Sequence, residues 1–300
     1  MTKKIFLTFL LVFLCLFGAS EAAPQEILVV QNHKIKPYAD AFSGFKSQVN
    51  TKCKGVDYVF RTSNGAVEYL SGRKPDLILA IGMDALQKVK IFSGVPIVYL
   101  MVLNPAAIVR EERNITGVSM TISPEKQLAA IRRVLPSARR IGLLYDPKKS
   151  ASFVKRAQIV AKELKIDLLA KEVSHSRFVP AALTSLKGAI DAFWMIPDTT
   201  VVTPDTIELM MLYSLENKIP VCTFSTKYLE IGALMSLDIN AGEMGRQAGD
   251  LAQKILSGKK VADIPAVEAD TADLVINESV AGKLKVHVDE DLRGKARFVR

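Results

Sequence analysis

The sequence predicts a two-lobed α/β protein, each lobe a doubly wound, Rossmann-like sheet, joined by a hinge with a cleft between them. Three observations predict it. Apolar runs of strand length open repeatedly into polar turns and then into stretches with helical spacing, the mark of alternating β and α units. The chain on either side of residues 113–119 (RNITGVS) follows one plan. The run at 27–32 leads through His33 and Pro37 into a helix, as 140–145 does through Asp146 and Pro147; PDLILAIG at 75–82 is matched by AIDAFWMIP at 189–197, and VPIVYLMV at 95–102 by IPVCTFST at 219–226. The segment between the halves is short, extended and contains Gly117, so it reads as the hinge. The expected division is a leader at 1–23, a first lobe of 24–117 plus about 240–270, and a second lobe of 118–239 plus about 271–300.

Residues 1–23 read as a secretory signal peptide. Lys3 and Lys4 precede an almost wholly apolar run at 5–17, too short to span a membrane comfortably, and small residues follow at Gly18, Ala19, Ser20, Ala22 and Ala23. Cleavage is expected after Ala22 or Ala23. Val12, Phe13 and Leu14 lack the small residue that lipid attachment at Cys15 needs, so the expected product is a soluble, exported protein, periplasmic or otherwise extracytoplasmic.

In the first half, strands are expected at 27–31, 56–60, 76–81 and 95–102. Helices are expected at 37–49, where Tyr38, Phe42, Phe45 and Val49 share a face, at 65–70 and at 85–90. Asp84 opens the last of these, either as an N-cap or beside backbone amides free to hold an anionic group. In the second half, Ser123, Pro124 and Glu125 start a helix that Pro136 closes. Strands are expected at 140–145, 167–173, 192–196, 221–224 and 233–237, with helices at 150–164, 179–186 and 204–217. A helix at 245–256 is placed back on the first lobe, a late strand at 274–277 follows, and the basic tail after Ala281 carries no readable signal.

Composition narrows the function classes. The formal charge is +9, and removing Lys3, Lys4 and Glu21 with the leader takes away 2 − 1 = 1 to leave +8. The basic residues are dispersed in pairs such as Arg132 with Arg133 and Lys259 with Lys260, at helix ends and turns, which describes solvated faces and not a nucleic-acid stripe. Cys53 and Cys222 fall in opposite halves and read as two free or buried thiols, and His33, His175 and His287 show no ligand spacing, so neither a disulfide nor a metal site is expected. An enzyme is the rival class, since such lobes host much chemistry. No Gly-rich phosphate loop, no Gly-x-Ser-x-Gly elbow and no His paired with a nucleophile is present, so no catalytic residue or cofactor is expected.

The run Asn114 to Ser119 followed by Pro124-Glu125-Lys126-Gln127-Leu128 resembles the hinge motif of ABC-transporter substrate-binding proteins with the type I periplasmic binding fold, in the group that includes tryptophan- and phenylalanine-binding members. The resemblance continues through IGLLYDP at 141–147, PDTTVV at 197–202, NKIPV at 217–221 and GRQAG at 245–249, and so covers essentially the whole mature chain. It implies a monomer that holds a small ligand between its lobes and presents it to a membrane permease; a periplasmic sensor subunit is the alternative. By motif, Asp146, Ser150, Asp198 and Thr199 match the second-lobe ligand turns. On the first lobe, Met83-Asp84 and Asn104-Pro105 depart from the family pattern.

Ligands of doubly wound sheets bind outside the carboxyl ends of the strands. The candidates there are Asn32, Tyr38, Gly82, Met83, Asp84, Tyr99, Asp146, Ser150, Asp198, Thr199, Ser225 and Asp238. Two readings stand for several of them: Asp146 and Asp198 either cap helices or touch ligand, Tyr38 and Tyr99 either pack or line the cleft, and Ser225 is a turn residue or a contact. Trp194, inside an apolar strand, reads as core. The expected ligand is a small zwitterion, an amino acid or close relative. Its ammonium would meet Asp198 first and Asp238 second, its carboxylate the amides at 82–85 or those after Asp146, and its apolar part Tyr38 and Tyr99.

Overall fold

The computed structural model describes residues 24–300. The expected signal peptide, its cleavage point and Cys15 lie outside the described residues. Strand and helix alternate as the apolar periodicity dictates, and the strands assemble into two sheets of nearly identical winding. The first holds six strands in the order β11-β5-β4-β3-β1-β2, every pair parallel: β1 (Gln25–Val30), β2 (Val56–Arg61), β3 (Leu77–Ile81), β4 (Ile97–Val102), β5 (Ile115–Ser119) and the two-residue β11 (Val267–Glu268). The second holds seven, in the order β13-β12-β10-β9-β8-β6-β7. Its parallel part is β6 (Arg140–Tyr145), β7 (Asp167–Glu172), β8 (Ala192–Trp194), β9 (Val221–Thr223) and β10 (Met235–Ile239). The late strand β12 (Ala272–Asn277) joins antiparallel to β10, and β13 (Arg297–Val299) extends the edge. β3 and β4 are continuous apolar, fully buried runs because helices cover both faces of the sheet, leaving no polar side for alternation.

Helices α1 (Lys36–Asn50), α2 (Ser63–Gly72) and α3 (Met83–Val89) belong to the first sheet; α4 (Pro124–Val134), α5 (Pro147–Glu163), α6 (Val179–Thr184) and α7 (Pro204–Asn217) belong to the second. The long α8 (Ala241–Leu256) returns to the first lobe and lies on α1. The two helices meet backbone to backbone: a Cβ on Gly245 would stand 1.9 Å from the Ala41 carbonyl oxygen, and one on Gly44 would stand 2.0 Å from that of Gly242. Only glycine permits that approach, which explains the glycines at 44 and 245.

Four expectations are corrected. Residues 113–119 are not the hinge: β5 is a wholly buried strand between β4 and β11, and Gly117 is there because a Cβ would lie 2.5 Å from Cγ of Tyr99. Gly117 marks close packing, not freedom. The first sheet therefore keeps Val118 and Ser119, and the chain crosses between lobes at 120–123, again at Asn240, and a third time at 269–271. Asp84 does not cap α3; the N-cap is Gly82 at φ 94°, with no side-chain bond. β10 runs two residues further than the 233–237 expected, so Asp238 stands in the strand and not in the turn beyond it. The basic tail is ordered: α9 (Glu278–Lys283), α10 (Glu290–Lys295) and β13 pack Ala281 and Leu292 into the second core, a signal hidden by the charges between them. Both Cys53 and Cys222 are free thiols, and burial pushes Cys222 up to about 12. Among the described residues no helix is long and apolar enough to cross a membrane.

Candidate functional site

The parallel parts of the two sheets share the winding order 2-1-3-4-5, with β2-β1-β3-β4-β5 in one and β7-β6-β8-β9-β10 in the other. Each therefore has a switch point, between β1 and β3 and between β6 and β8, where successive connections leave to opposite faces and open a crevice at the carboxyl edge. The crossovers depart from the carboxyl ends of β5 and β10, so both edges face the side on which the lobes are joined.

In the second lobe the crevice is filled by its own carboxylates. Asp146, 4% exposed, is the N-cap of α5: its side chain accepts from the Lys148 amide at 2.9 Å and from the Thr200 hydroxyl at 2.7 Å. The Thr200 hydrogen bond, with the Lys148 amide, holds its carboxyl below the usual range. Asp198, 1% exposed, accepts four donors. One oxygen takes the Asp146 amide at 2.9 Å and the Ser150 hydroxyl at 2.6 Å, and the other takes the amides of Thr200 at 2.9 Å and Val201 at 3.3 Å. A carboxylate offers about four lone-pair positions, so Asp198 has none left for a ligand ammonium. Asp198 thus joins the turn after β6 to the turn after β8, a scaffold role in place of the ion-pair role expected of it. The amides following Asp146 are consumed too: Lys149 and Ser150 both donate to the Asp146 carbonyl. Thr199 is exposed and its hydroxyl accepts from Lys149 at 2.7 Å.

The first-lobe crevice is open. Asn32, exposed, accepts from the Ser63 amide at 2.8 Å and so pins the start of α2 beside β1. Gly82 lets the Tyr38 hydroxyl sit over the backbone where a Cβ would be only 2.3 Å away. Burial, and next the charge of Asp84, push the Tyr38 hydroxyl up. Met83 and Asp84 are exposed at the first turn of α3, and the Asp84 carboxylate stands 3.8 Å from Nε2 of His33. A cavity of about 670 Å³ opens here, lined by Gln31, His33, Lys34, Ile35, Lys36, Tyr38, Phe60 and Arg61 among others. A second, of about 490 Å³, lies between Asn32, Ser63, Asp84 and Lys88. Tyr99 is in neither. It is 3% exposed, packed with Leu28, Ile78 and Ile115, and burial pushes its hydroxyl up to about 12; the strand's alternation turns it into the core and away from the edge.

At the far side of the second crevice, Ser225 is half-buried, and Asp238 binds the residue after it, Thr226. One Asp238 oxygen accepts from the amide of Thr226 at 3.0 Å and from its hydroxyl; the other, Oδ1, is shielded from water and has no donor. The basic rim of Lys34, Lys36 and Arg61 was absent from the candidates. The rim had no local signal, since it is assembled from two separate strand ends.

The profile of the family described as "ABC transporter substrate binding protein" matches residues 52–299. A tyrosine-binding protein of Clostridioides difficile (strain R20291) is 30% identical over 226 residues, which is 72% of this chain and 65% of that protein's length. Among solved structures, a conserved domain protein from Vibrio cholerae O1 biovar El Tor is 25% identical with a TM-score of 0.60, covering 92% of this chain and 99% of that one. The ligand-free, open structure of a substrate-binding protein with adhesive properties from Clostridium difficile is 24% identical with a TM-score of 0.73, at the same coverage. An ABC domain from Streptococcus pneumoniae in complex with L-Trp is 21% identical with a TM-score of 0.62, covering 92% of this chain and 100% of that one. The last two likenesses speak for the fold, a type I two-lobed architecture.

Proposed function

Because the chain belongs to the family of ABC-transporter substrate-binding proteins, which hold their ligands without transforming them, we propose that it is an exported, monomeric solute-binding protein. It closes its lobes about a small zwitterion, an amino acid or close relative, and delivers it to an ABC permease. The observation that carries the ligand class is the donorless oxygen of Asp238. A carboxylate shielded from water with an empty acceptor is costly until a donor arrives, and an ammonium group brings both the donor and the countercharge.

The facing lobe has the opposite sign. Lys34, Lys36 and Arg61 surround the larger cavity, the environment a ligand carboxylate needs, while Ile35, Tyr38 and Phe60 in the same wall offer apolar surface. The relatives named for tyrosine binding and for a complex with L-Trp hold amino acids, which supports the class without fixing the side chain. The leader pattern at 1–23 supports export.

A thermal-shift screen of amino acids, nucleosides and sugars tests the reading. A ligand at 100 times its dissociation constant stabilises the folded form by about 2.7 kcal/mol, a readable rise in melting temperature. The expected hits are zwitterions; if only uncharged compounds raise the melting temperature, the assignment is wrong.

A further inference from the structure

The residues Glu125-Lys126-Gln127 of the family motif reach the crossovers. Gln127, 6% exposed on α4, donates through Nε2 to the Ile122 carbonyl at 2.6 Å and accepts from Trp194 Nε1 at 2.9 Å, tying the first crossover to the middle of the second sheet. Lys126 donates to the Asp270 carbonyl at 2.5 Å and the Ala269 carbonyl at 3.4 Å, both in the third crossover. Glu125 receives the Arg156 guanidinium at 2.8 and 2.7 Å, and the remaining nitrogen of Arg156 reaches both oxygens of Glu268 at 3.0 and 2.9 Å, from the second lobe to the edge strand β11 of the first. The two crossovers also bond each other, the Ala269 amide to the Thr121 carbonyl at 3.1 Å. From the first lobe, Gln247 on α8 grips the same segment: it donates to the Glu268 carbonyl at 2.9 Å and accepts from the Asp270 amide at 3.1 Å.

We infer that the first turn of α4, with Arg156, and Gln247 on α8 are opposed positioning groups that hold residues 268–270 between them and so set the resting angle of the ligand-free lobes. Segment 268–270 is held from the second lobe by Lys126 and Arg156 and from the first by Gln247, and rotation about it must lengthen one set of bonds or the other. The second-lobe grip is ionic and partly exposed, so it is sensitive to salt. The first-lobe grip is a neutral amide. Weakening only one side should therefore move the balance.

The test measures the distance across the cleft between spin labels at Lys88→Cys and Lys148→Cys, in a Cys53→Ser background and without ligand. The parent should give one narrow distribution. Lys126→Met and Arg156→Met should each shift or broaden it at an unchanged melting temperature, and Lys126→Arg should restore it. In 1 M salt, where the screening length falls to about 3 Å, the parent should move toward the variants while the Lys126→Met, Arg156→Met double variant should stay put. Distributions for both single variants that superimpose on the parent's overturn the inference. So does a change seen only together with a lowered melting temperature, since loosened folding would then account for it.

Discussion

The two lobes wind their sheets in the same order, yet their crevices are finished in opposite ways. In the second, Asp146 and Asp198 bind each other's turns, with Ser150 and Thr200 closing the set, and both carboxylates are buried. In the first, the same topological place holds an exposed Asn32 with one protein bond, and cavities of about 670 and 490 Å³ remain. One lobe thus presents a fixed platform, and the other presents space to be filled. The strand-end motif alone does not say which, because a turn that accepts every donor itself is a scaffold however well its residue types suit a ligand.

The sharpest way to break this contrast is to empty the filled crevice. Asp198→Ala strands four donors and should cost about 3 kcal/mol or more in urea unfolding, against about 1 kcal/mol for Asn32→Ala in the first-lobe crevice. Equal losses would show that the two crevices are built alike. Next in size is Asp238→Asn, which removes the charge but keeps the shape. It should weaken binding of the zwitterion found in the screen by roughly 30-fold, read by calorimetry, with little change in melting temperature. An unchanged affinity would return the charged role to another residue.

The smallest effect concerns pH and lies at the opposite edge of the second sheet. Burial pushes the Asp191 carboxyl up, but hydrogen bonds from the Arg140 guanidinium and from the amides of Arg140 and Arg139 more than offset it and hold the carboxyl at about 2, against an ordinary 3.8. A carboxyl depressed by folding contributes stability above its ordinary pKa and loses it as pH falls through the folded value. Asp191→Asn should therefore flatten the stability curve between about pH 4 and about 2. Some slope should remain, because Glu112 in the first lobe, held at about 2 first by the Arg110 amide, titrates over the same range. A curve unaltered by Asp191→Asn would place the whole acid response elsewhere.

Most of the fold was legible because strands buried on both faces announce themselves as aliphatic runs, and because the second half repeats the first. What was misread turns on distance. Gly117 looked like a hinge because a glycine in an extended segment carries two meanings, and only the Tyr99 ring beside it selects close packing. Asp238 moved into β10 because pairing with β12, some 35 positions later, extends that strand. At the candidate site, the sequence identified the turns but not their occupancy: the donors to Asp198 come from Asp146, Ser150, Thr200 and Val201, and lone pairs cannot be counted from spacing.

The backbone contact between α1 and α8 also governs the order of assembly. Gln48 and Asp250, which hydrogen-bond across that seam at 2.7 Å, stand 202 positions apart. Until α8 has been made, Ala41 and Phe45 on α1, with the aliphatic face of β1 and β3 beneath, lack their cover. The first lobe is therefore begun first and finished late, after the parallel part of the second sheet is already available. Closing so long a loop is slow, and the waiting surface is apolar and prone to aggregate.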